Sequence, residues 1–387
     1  MSLLEGCLVL DLGIITAGAA TSALLADFGA DVVKVESPTY RDPFRIWAGD
    51  ARHDEADMLP PLFRATNRNK RAISIDLKRA EGRAVLLRLA TRADVMVENF
   101  RRGVMANLGL SFDALRAANP GIVLASVSSH GETGPDAGHV SYGSTLEALS
   151  GLAWVTGYAG GKPEVSGRDV NYPDQIVALF AAGMIASALR AVRQGGCGTH
   201  LDISQRDLAA FLIGDRFVAA SSGQAVSRQG NAQAASPLQD CFRTADGRWV
   251  AVTVHARDRE RLGAALPSPE PASPEALRAA ITAEVGCRTG DDAVAFLTGI
   301  GLSAAPVLDG AGVLARHGTE WSHAMLHEPG GVMVKGFPVQ VAETPLEIRR
   351  PAPGVGAHTR QILETVGGYG AAEIDALAAA GVIELGS

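Results

Sequence analysis

At 387 residues the chain is long for one core and implies about two domains. Hydrophobic residues make up 47% and charged residues 20%, the balance of an ordinary soluble globular protein. A net charge of −7 argues against a general nucleic-acid binder.

The first part of the chain alternates strand and helix. Cys7–Leu12 reads as a buried strand, Thr21–Phe28 as a helix stopped by Gly29, and Asp31–Glu36 as a second strand ended by Ser37-Pro38. After a long polar loop come a strand at Ala72–Leu77, a helix at Ala80–Ala93, a strand at Asp94–Phe100, a helix at Ser111–Ala118 and a strand at Gly121–Ser126. Apolar strands alternating with helices predict an α/β fold, a Rossmann-like parallel sheet covered on both faces. Ligands of such sheets bind beyond the carboxyl ends of the strands. A long apolar run follows at Ile176–Val192. Its most apolar stretch, Ile176–Leu189, is about 14 residues long, short for a bilayer span, so no membrane contact is expected.

Composition shifts after Asp207. A strand at Val250–Val254 follows the turn signal Asp246-Gly247. Pro267–Pro274 reads as a loop, and Ala276–Val285 and Asp291–Leu297 as helices. The expected division is a large domain over 1–220, a smaller α+β domain over 221–325, and a segment over 326–387 that returns to the large domain. That last segment carries a helix at Thr359–Val366.

The cysteines Cys7, Cys197, Cys241 and Cys287 are widely spaced. They suggest neither a zinc site nor a disulfide framework, and reduced cytosolic thiols are the default. Met1–Gly6 lacks the pattern of a signal peptide, so a cytoplasmic location is expected. No His, Asp or Glu spacing suggests a metal.

Gly13 and Gly18 follow the first strand without forming a nucleotide fingerprint. They either let a ligand approach the backbone or simply make a tight turn. Arg64, Arg68, Lys70, Arg71, Lys78 and Arg79 form one basic cluster, and Arg101 with Arg102 another. These are phosphate clamps or solvated faces. His130 and His139 flank a Gly-rich turn and are possible acid/base groups. Asp174 stands just before the long apolar run. It either caps that helix or, with free backbone N–H groups and the helix dipole favouring its ionised form, serves as a nucleophile.

Several segments together are similar to family III CoA-transferases, the group with formyl-CoA and carnitine CoA-transferases, to which α-methylacyl-CoA racemases are related. They include Leu8-Val9-Leu10-Asp11, Leu24 to Glu36, Asn69 to Ile73, Asp94 to Phe100 and Gly134-Pro135. Further on come Leu149 to Leu152, Pro306-Val307-Leu308 and Gly356 to Thr359. Each is weak alone; their order and spacing over nearly the whole chain are specific.

The resemblance implies that Asp174, rather than nearby Asp169, carries the chemistry. It attacks an acyl-CoA, giving a mixed anhydride and then an aspartyl-CoA thioester, from which a carboxylic acid takes the CoA. It maps CoA contacts onto Thr16, Ala17, Ile75, Lys78, Asn99, Phe100, Arg101, Val127, Ser128, Ser129 and His130. The basic clusters would thereby meet the phosphates of CoA. It also implies an interlocked homodimer, with coenzyme A as a substrate and no permanently bound cofactor.

Three positions depart from the family pattern: Ala19 replaces a Pro, Ser37 stands where an Arg meets adenine, and Ala178 replaces a Gly. A racemase would use a His-Asp pair that falls here on Tyr142 and Gly143, with His139 three residues early. Tyr142 and His139 are therefore substrate-proximal candidates, and racemisation is the disfavoured alternative. A third alternative is a non-catalytic subunit of a heteromeric transferase.

Overall fold

The computed structural model describes residues 2–46, 59–166, 170–258, 261–262, 273–316, 325–337, 339–344 and 346–386. Asp169 and most of the Pro267–Pro274 loop lie outside the described residues. Contacts divide the chain into two compact units. The first comprises Met1–Leu152, Val165–Asp215 and Ser322–Ser387; the second comprises Ala153–Glu164 and Arg216–Trp321.

In the first unit, β1 (Leu8–Asp11), α1 (Ala17–Asp27), β2 (Asp31–Glu36), α2 (Pro61–Asn67) and β3 (Arg71–Ile75) come first. Then follow α3 (Ala80–Ala90), β4 (Val95–Glu98), α4 (Val104–Asn107), α5 (Phe112–Ala118) and β5 (Val123–Ser128). After α6 (Gly143–Leu149), and α7 (Leu152–Val155), which falls largely in the second unit, come α8 (Tyr172–Arg193), β6 (His200–Ser204) and α9 (Gln205–Phe211).

The second unit has an antiparallel sheet of β7 (Leu238–Arg243), β8 (Trp249–Val254) and β9 (Ser303–Val307). Its core is Val250, Val252, Leu277, Ile281, Val285 and Leu297, drawn from the sheet and from helices Pro274–Gly286 and Gly290–Gly299. The β7–β8 turn is closed by Thr244 N donating to Arg248 O at 2.9 Å. Gly247 sits there at φ +80, a conformation that favours glycine.

The C-terminal segment of the first unit supplies the hairpin β10 (Met325–His327) and β11 (Met333–Lys335), and the short strand β12 (Ile383–Glu384). The first unit's sheet has seven strands in the order β12-β3-β2-β1-β4-β5-β6. All neighbours are parallel except β12, which pairs antiparallel with β3. One face is covered by Val85, Leu86, Leu89, Leu115, Ile362 and Leu363. The other is covered by Leu25, Ala26, Ala182, Ile185 and Leu189 of α1 and α8. Burial on both faces explains why the strands read as continuous apolar runs.

Helix α1 begins at Ala17, four residues before the expected start, and is buried almost throughout. Its small residues allow close contact with α8. A Cβ at Gly13 would fall 2.5 Å from the Gly18 carbonyl carbon, and one at Gly18 would fall 2.7 Å from Gly13 Cα. The two glycines therefore make the tight strand-to-helix turn of the alternatives raised above.

Helix α8 runs 22 residues, longer than its most apolar stretch. By length and composition it could cross a membrane. In the fold, Val177, Ala178, Ala181, Ile185 and Leu189 lie buried on one side of it.

The strand order reverses between β1 and β4: β2 and β3 lie to one side, β5 and β6 to the other. The carboxyl ends of β1 and β4 thus flank a crevice, the usual ligand position in open α/β sheets.

Candidate active site

The loop after β1 forms the floor of this crevice, and buried polar groups hold it from several directions. Gly13 N donates to Asp11 Oδ1 at 2.8 Å, and Ile14 N to Asn99 Oδ1 at 2.8 Å. Asn99 Nδ2 donates back to Ile14 O at 3.0 Å. Ile15 N donates to Asp42 Oδ1 at 3.2 Å, holding Ile15 at φ 60. For a β-branched residue that conformation is strained by about 1–3 kcal/mol and persists only when over-determined. Lys34 pairs with Asp42 at 2.8 Å and Lys70 with Asp11 at 2.7 Å, both fully buried.

Lys70 also donates to Ala19 O at 2.8 Å and Asn67 Oδ1 at 2.9 Å. Burial pulls its pKa down to about 8, with Asp11 partly offsetting. For four members of the first basic cluster, Arg64, Arg68, Lys70 and Arg71, this corrects the phosphate reading. Lys70 is locked beneath the floor, Arg68 is paired with Asp27, Arg71 with Asp31, and Arg64 with Glu328. These cations are committed to carboxylates, of which Asp11, Asp27 and Glu328 are buried. Arg101 and Arg102 differ: both are exposed, and neither has an acidic partner among the described residues.

Above the floor is a cleft of 1140 Å³. It is lined by Thr16, Asn99, Phe100, Arg101, Ser128, Ser129, His130, His139, Tyr142 and Asp174, with Arg102 at its side. The chain places these residues together because they follow the ends of β1, β4 and β5 or start α8. Phe100 is oriented by its N–H, which donates to Glu98 Oε2 at 2.7 Å.

Ala17, Ile75 and Lys78 are not part of this lining. Ala17 and Ile75 are buried in the core, and Lys78 is exposed beyond β3. Strand β3 lies two strands from β1, roughly 10 Å at the usual strand spacing. Lys78 therefore stands apart from the cleft lining. Ser37, bridged to Tyr40, is also outside the lining, whereas Tyr40 is part of it.

Asp174 is not the cap of its helix. Asn171 occupies that position at φ 45, and Asp174 falls in the first turn of α8. Among the described residues Asp174 has no ion-pair partner. Burial pushes its pKa up to about 6, opposed only by a hydrogen bond from its own backbone N–H. The helix dipole was expected to favour the ionised form; desolvation outweighs it. The carboxylate is still mostly ionised at pH 7, partly desolvated and unpaired, which are the properties of an available nucleophile. Gly143, the first residue of α6, lies directly against it: a Cβ there would fall 3.1 Å from Asp174 Oδ2.

Among the described residues, two buried polar atoms in the lining lack partners, His130 Nδ1 and Gln205 Oε1. His130 Nε2 is engaged with Ser141 Oγ at 2.9 Å. Burial, then Arg206, lowers the His130 pKa, favouring the neutral ring. Unsatisfied buried groups facing a cavity are poised for a polar ligand. Sequence reasoning missed Gln205, Tyr40 and Lys335, which also line the cleft. Gln205 begins α9 just after β6, and an expected β6 would have pointed to it. His139 and Tyr142 are exposed, and His139 lies 3.6 Å from Asp136.

Residues 4–359 match the model of CoA-transferase family III. The chain is 37% identical over 276 residues to the succinyl-CoA–L-malate CoA-transferase alpha subunit of Chloroflexus aurantiacus, covering 70% of this chain and 63% of that one. The match thus spans less than two thirds of that relative. The chain is 30% identical over 385 residues to the succinate–glutarate CoA-transferase of Agrobacterium fabrum, covering 93% and 94% of the two. A solved CAIB/BAIF family protein from Brucella suis has a TM-score of 0.84 at 28% identity, over 94% of this chain and 99% of that one. The chain belongs to CoA-transferase family III.

Proposed function

We propose that the protein moves CoA from an acyl-CoA thioester to a carboxylic acid through covalent intermediates on Asp174. The observation that carries this is an unpaired, desolvated carboxylate in the first turn of α8, inside the cleft at the strand-order reversal. One Asp174 oxygen attacks the thioester carbonyl, and CoA leaves as a thiolate, giving a mixed anhydride. The thiolate attacks the Asp174 carbonyl and releases the donor acid, leaving an aspartyl-CoA thioester. The acceptor carboxylate attacks that thioester and expels the thiolate. The thiolate then attacks the acyl carbonyl of the second anhydride, forming the new acyl-CoA and freeing Asp174. Several easier covalent steps replace one difficult exchange. The first N–H groups of α6, which have no intrahelical partners, are the proposed donors to the tetrahedral oxyanions.

For CoA itself, Arg101 and Arg102 would take phosphates near the cleft, and Lys78 the distal phosphate. His130 Nδ1 and Gln205 Oε1 would pair with amides of the pantetheine arm. Thr16, Ala17, Ile75, Asn99, Phe100, Ser128 and Ser129 complete the proposed CoA contacts. Replacing both Arg101 and Arg102 by Ala should raise KM for the CoA thioester at least about tenfold, with kcat little changed. That assumes roughly 1.5 kcal/mol or more for a charge-assisted contact. Unchanged CoA binding by calorimetry would return both residues to the solvated-face reading.

Relatives named for succinate, glutarate and L-malate support a short carboxylic acid as acceptor. A racemase needs two groups flanking the α-carbon. Here Gly143 offers no side chain, and His139 is exposed beside Asp136. Incubation with a 2-methylacyl-CoA in heavy water should leave the α-position unlabelled while CoA moves to an added short acid. Rapid α-deuteration without transfer would overturn the proposal.

The proposed assembly is an interlocked homodimer in the cytoplasm with no permanently bound cofactor. The relatives named as alpha and beta subunits keep a heteromeric assembly in view. A native mass of the active purified chain decides between the two.

A further inference from the structure

Beside the cleft lies a second cavity of 290 Å³. The two share Ala65, Gln175 and Lys335 in their linings. Its walls are mainly the small or apolar side chains Ala20, Ala23, Ala178, Leu179 and Phe337, and its cations are Arg68 and Lys335. Ala178 is four residues after Asp174, so both lie on one face of α8. The backbone of Ala178 in the cavity wall therefore lies about one helical turn, ~5 Å along the axis, from that of Asp174.

The charges here do not balance. Arg68 pairs with Asp27, whose other oxygen accepts from Asn69 Nδ2 at 3.0 Å. Among the described residues, the partner of Lys335 Nζ is neutral, Gln175 Oε1 at 3.2 Å. Arg68 Nε is buried and unpartnered. Two cations thus face one carboxylate in a largely apolar recess. Burial and then Arg68 pull the Lys335 pKa down to about 8, and Asp27 offsets only part. A desolvated cation without its own counter-charge is favoured by an incoming anion.

We propose that this recess is a subsite for the second carboxylate of a short dicarboxylic acid or its acyl group, with Lys335 as the charge that recognises it. The apolar walls take the methylene spacer, and the near carboxyl carbon remains at Asp174. Lys335 is a specificity-determining residue here; it takes no part in bond making. The inference rests on the transfer reading for its kinetics and stands apart from it for binding.

The test compares glutarate with pentanoate, which has the same chain length and lacks one carboxylate. Lys335→Met should raise KM for glutarate by roughly 10–100-fold, the usual scale for losing a charge-assisted contact, and leave pentanoate within about twofold. Lys335→Arg should recover much of the glutarate affinity. Equal effects on both acids, or none, would overturn the subsite. Free glutarate is also titrated into the wild type and Lys335→Met by calorimetry, which requires no turnover. Binding by the wild type that is lost in the Met variant supports the subsite even if no acid accepts CoA, a result that would sink the transfer reading alone. No glutarate binding by the folded wild type, or equal binding by both proteins, overturns the subsite whatever the activity.

Discussion

Asp174→Asn should lower kcat for CoA transfer on the order of 10⁴-fold or more, the scale seen when a covalent nucleophile is removed, and should make the protein more heat-stable at pH 8. The two halves have one cause. Burial raises the Asp174 pKa from 3.8 to about 6. A raised folded-state pKa means that the native state binds the proton more tightly than the unfolded chain. The resulting stabilisation is fully present below about pH 4 and is lost as pH rises through 6. At pH 8 the native protein holds an ionised, poorly solvated carboxylate. Asparagine removes that charge at nearly constant shape. At roughly 1.4 kcal/mol per pKa unit the gain is at most about 3 kcal/mol. Thermal unfolding across pH 4 to 8 checks the sign: variant and wild type should diverge as pH rises. Retained transfer activity, or a variant less stable than wild type at pH 8, would count against this placement of Asp174.

Gly143→Ala should lower kcat by about a hundredfold while leaving KM for the CoA thioester nearly unchanged. The added methyl would lie 3.1 Å from Asp174 Oδ2, 3.1 Å from Asn171 Oδ1 and 3.3 Å from Asn171 Cα. Asn171 holds the left-handed cap of α8 at φ 45, so its backbone has little room to yield. The carboxylate is the more mobile neighbour and should move. Misplacing a reacting group by about 1 Å costs on the order of a hundredfold in rate. Global unfolding is not the expected route, because Ala is a better helix former than Gly at the start of α6. Steady-state kinetics with circular dichroism separates these effects. A variant with wild-type kcat would show that the close approach of α6 and Asp174 does not constrain catalysis.

The sheet was legible where strands were short apolar runs. Asp31–Glu36 was read to the residue, and β1, β3, β4 and β5 to within a few positions. Strand β6, His200–Ser204, was not expected, because its residues are only half-buried and its polar members break the pattern. Strand β12 has two residues, too few for any period. The start of α1 was missed because Ala17-Gly18-Ala19-Ala20 is small on every side and shows no helical stripe.

The resemblance brought Asp174 and part of the cleft lining into view. What the residues concealed was charge pairing across long separations. Lys70 reads as a surface lysine until Asp11, 59 residues earlier, is found beside it. Lys335 was not singled out in the sequence; Gln175, 160 residues earlier, lies beside it at the cleft. Local pattern carries no signal for such contacts.

The most direct test is chemical trapping. The protein is mixed with an acyl-CoA donor and no acceptor, quenched with hydroxylamine, digested and mapped by mass spectrometry. A hydroxamate on the peptide carrying Tyr172-Pro173-Asp174, located at Asp174 and absent without donor, is the predicted result. A donor-dependent label on another residue, or none on Asp174 under conditions where CoA transfer proceeds, would contradict a covalent role for this carboxylate.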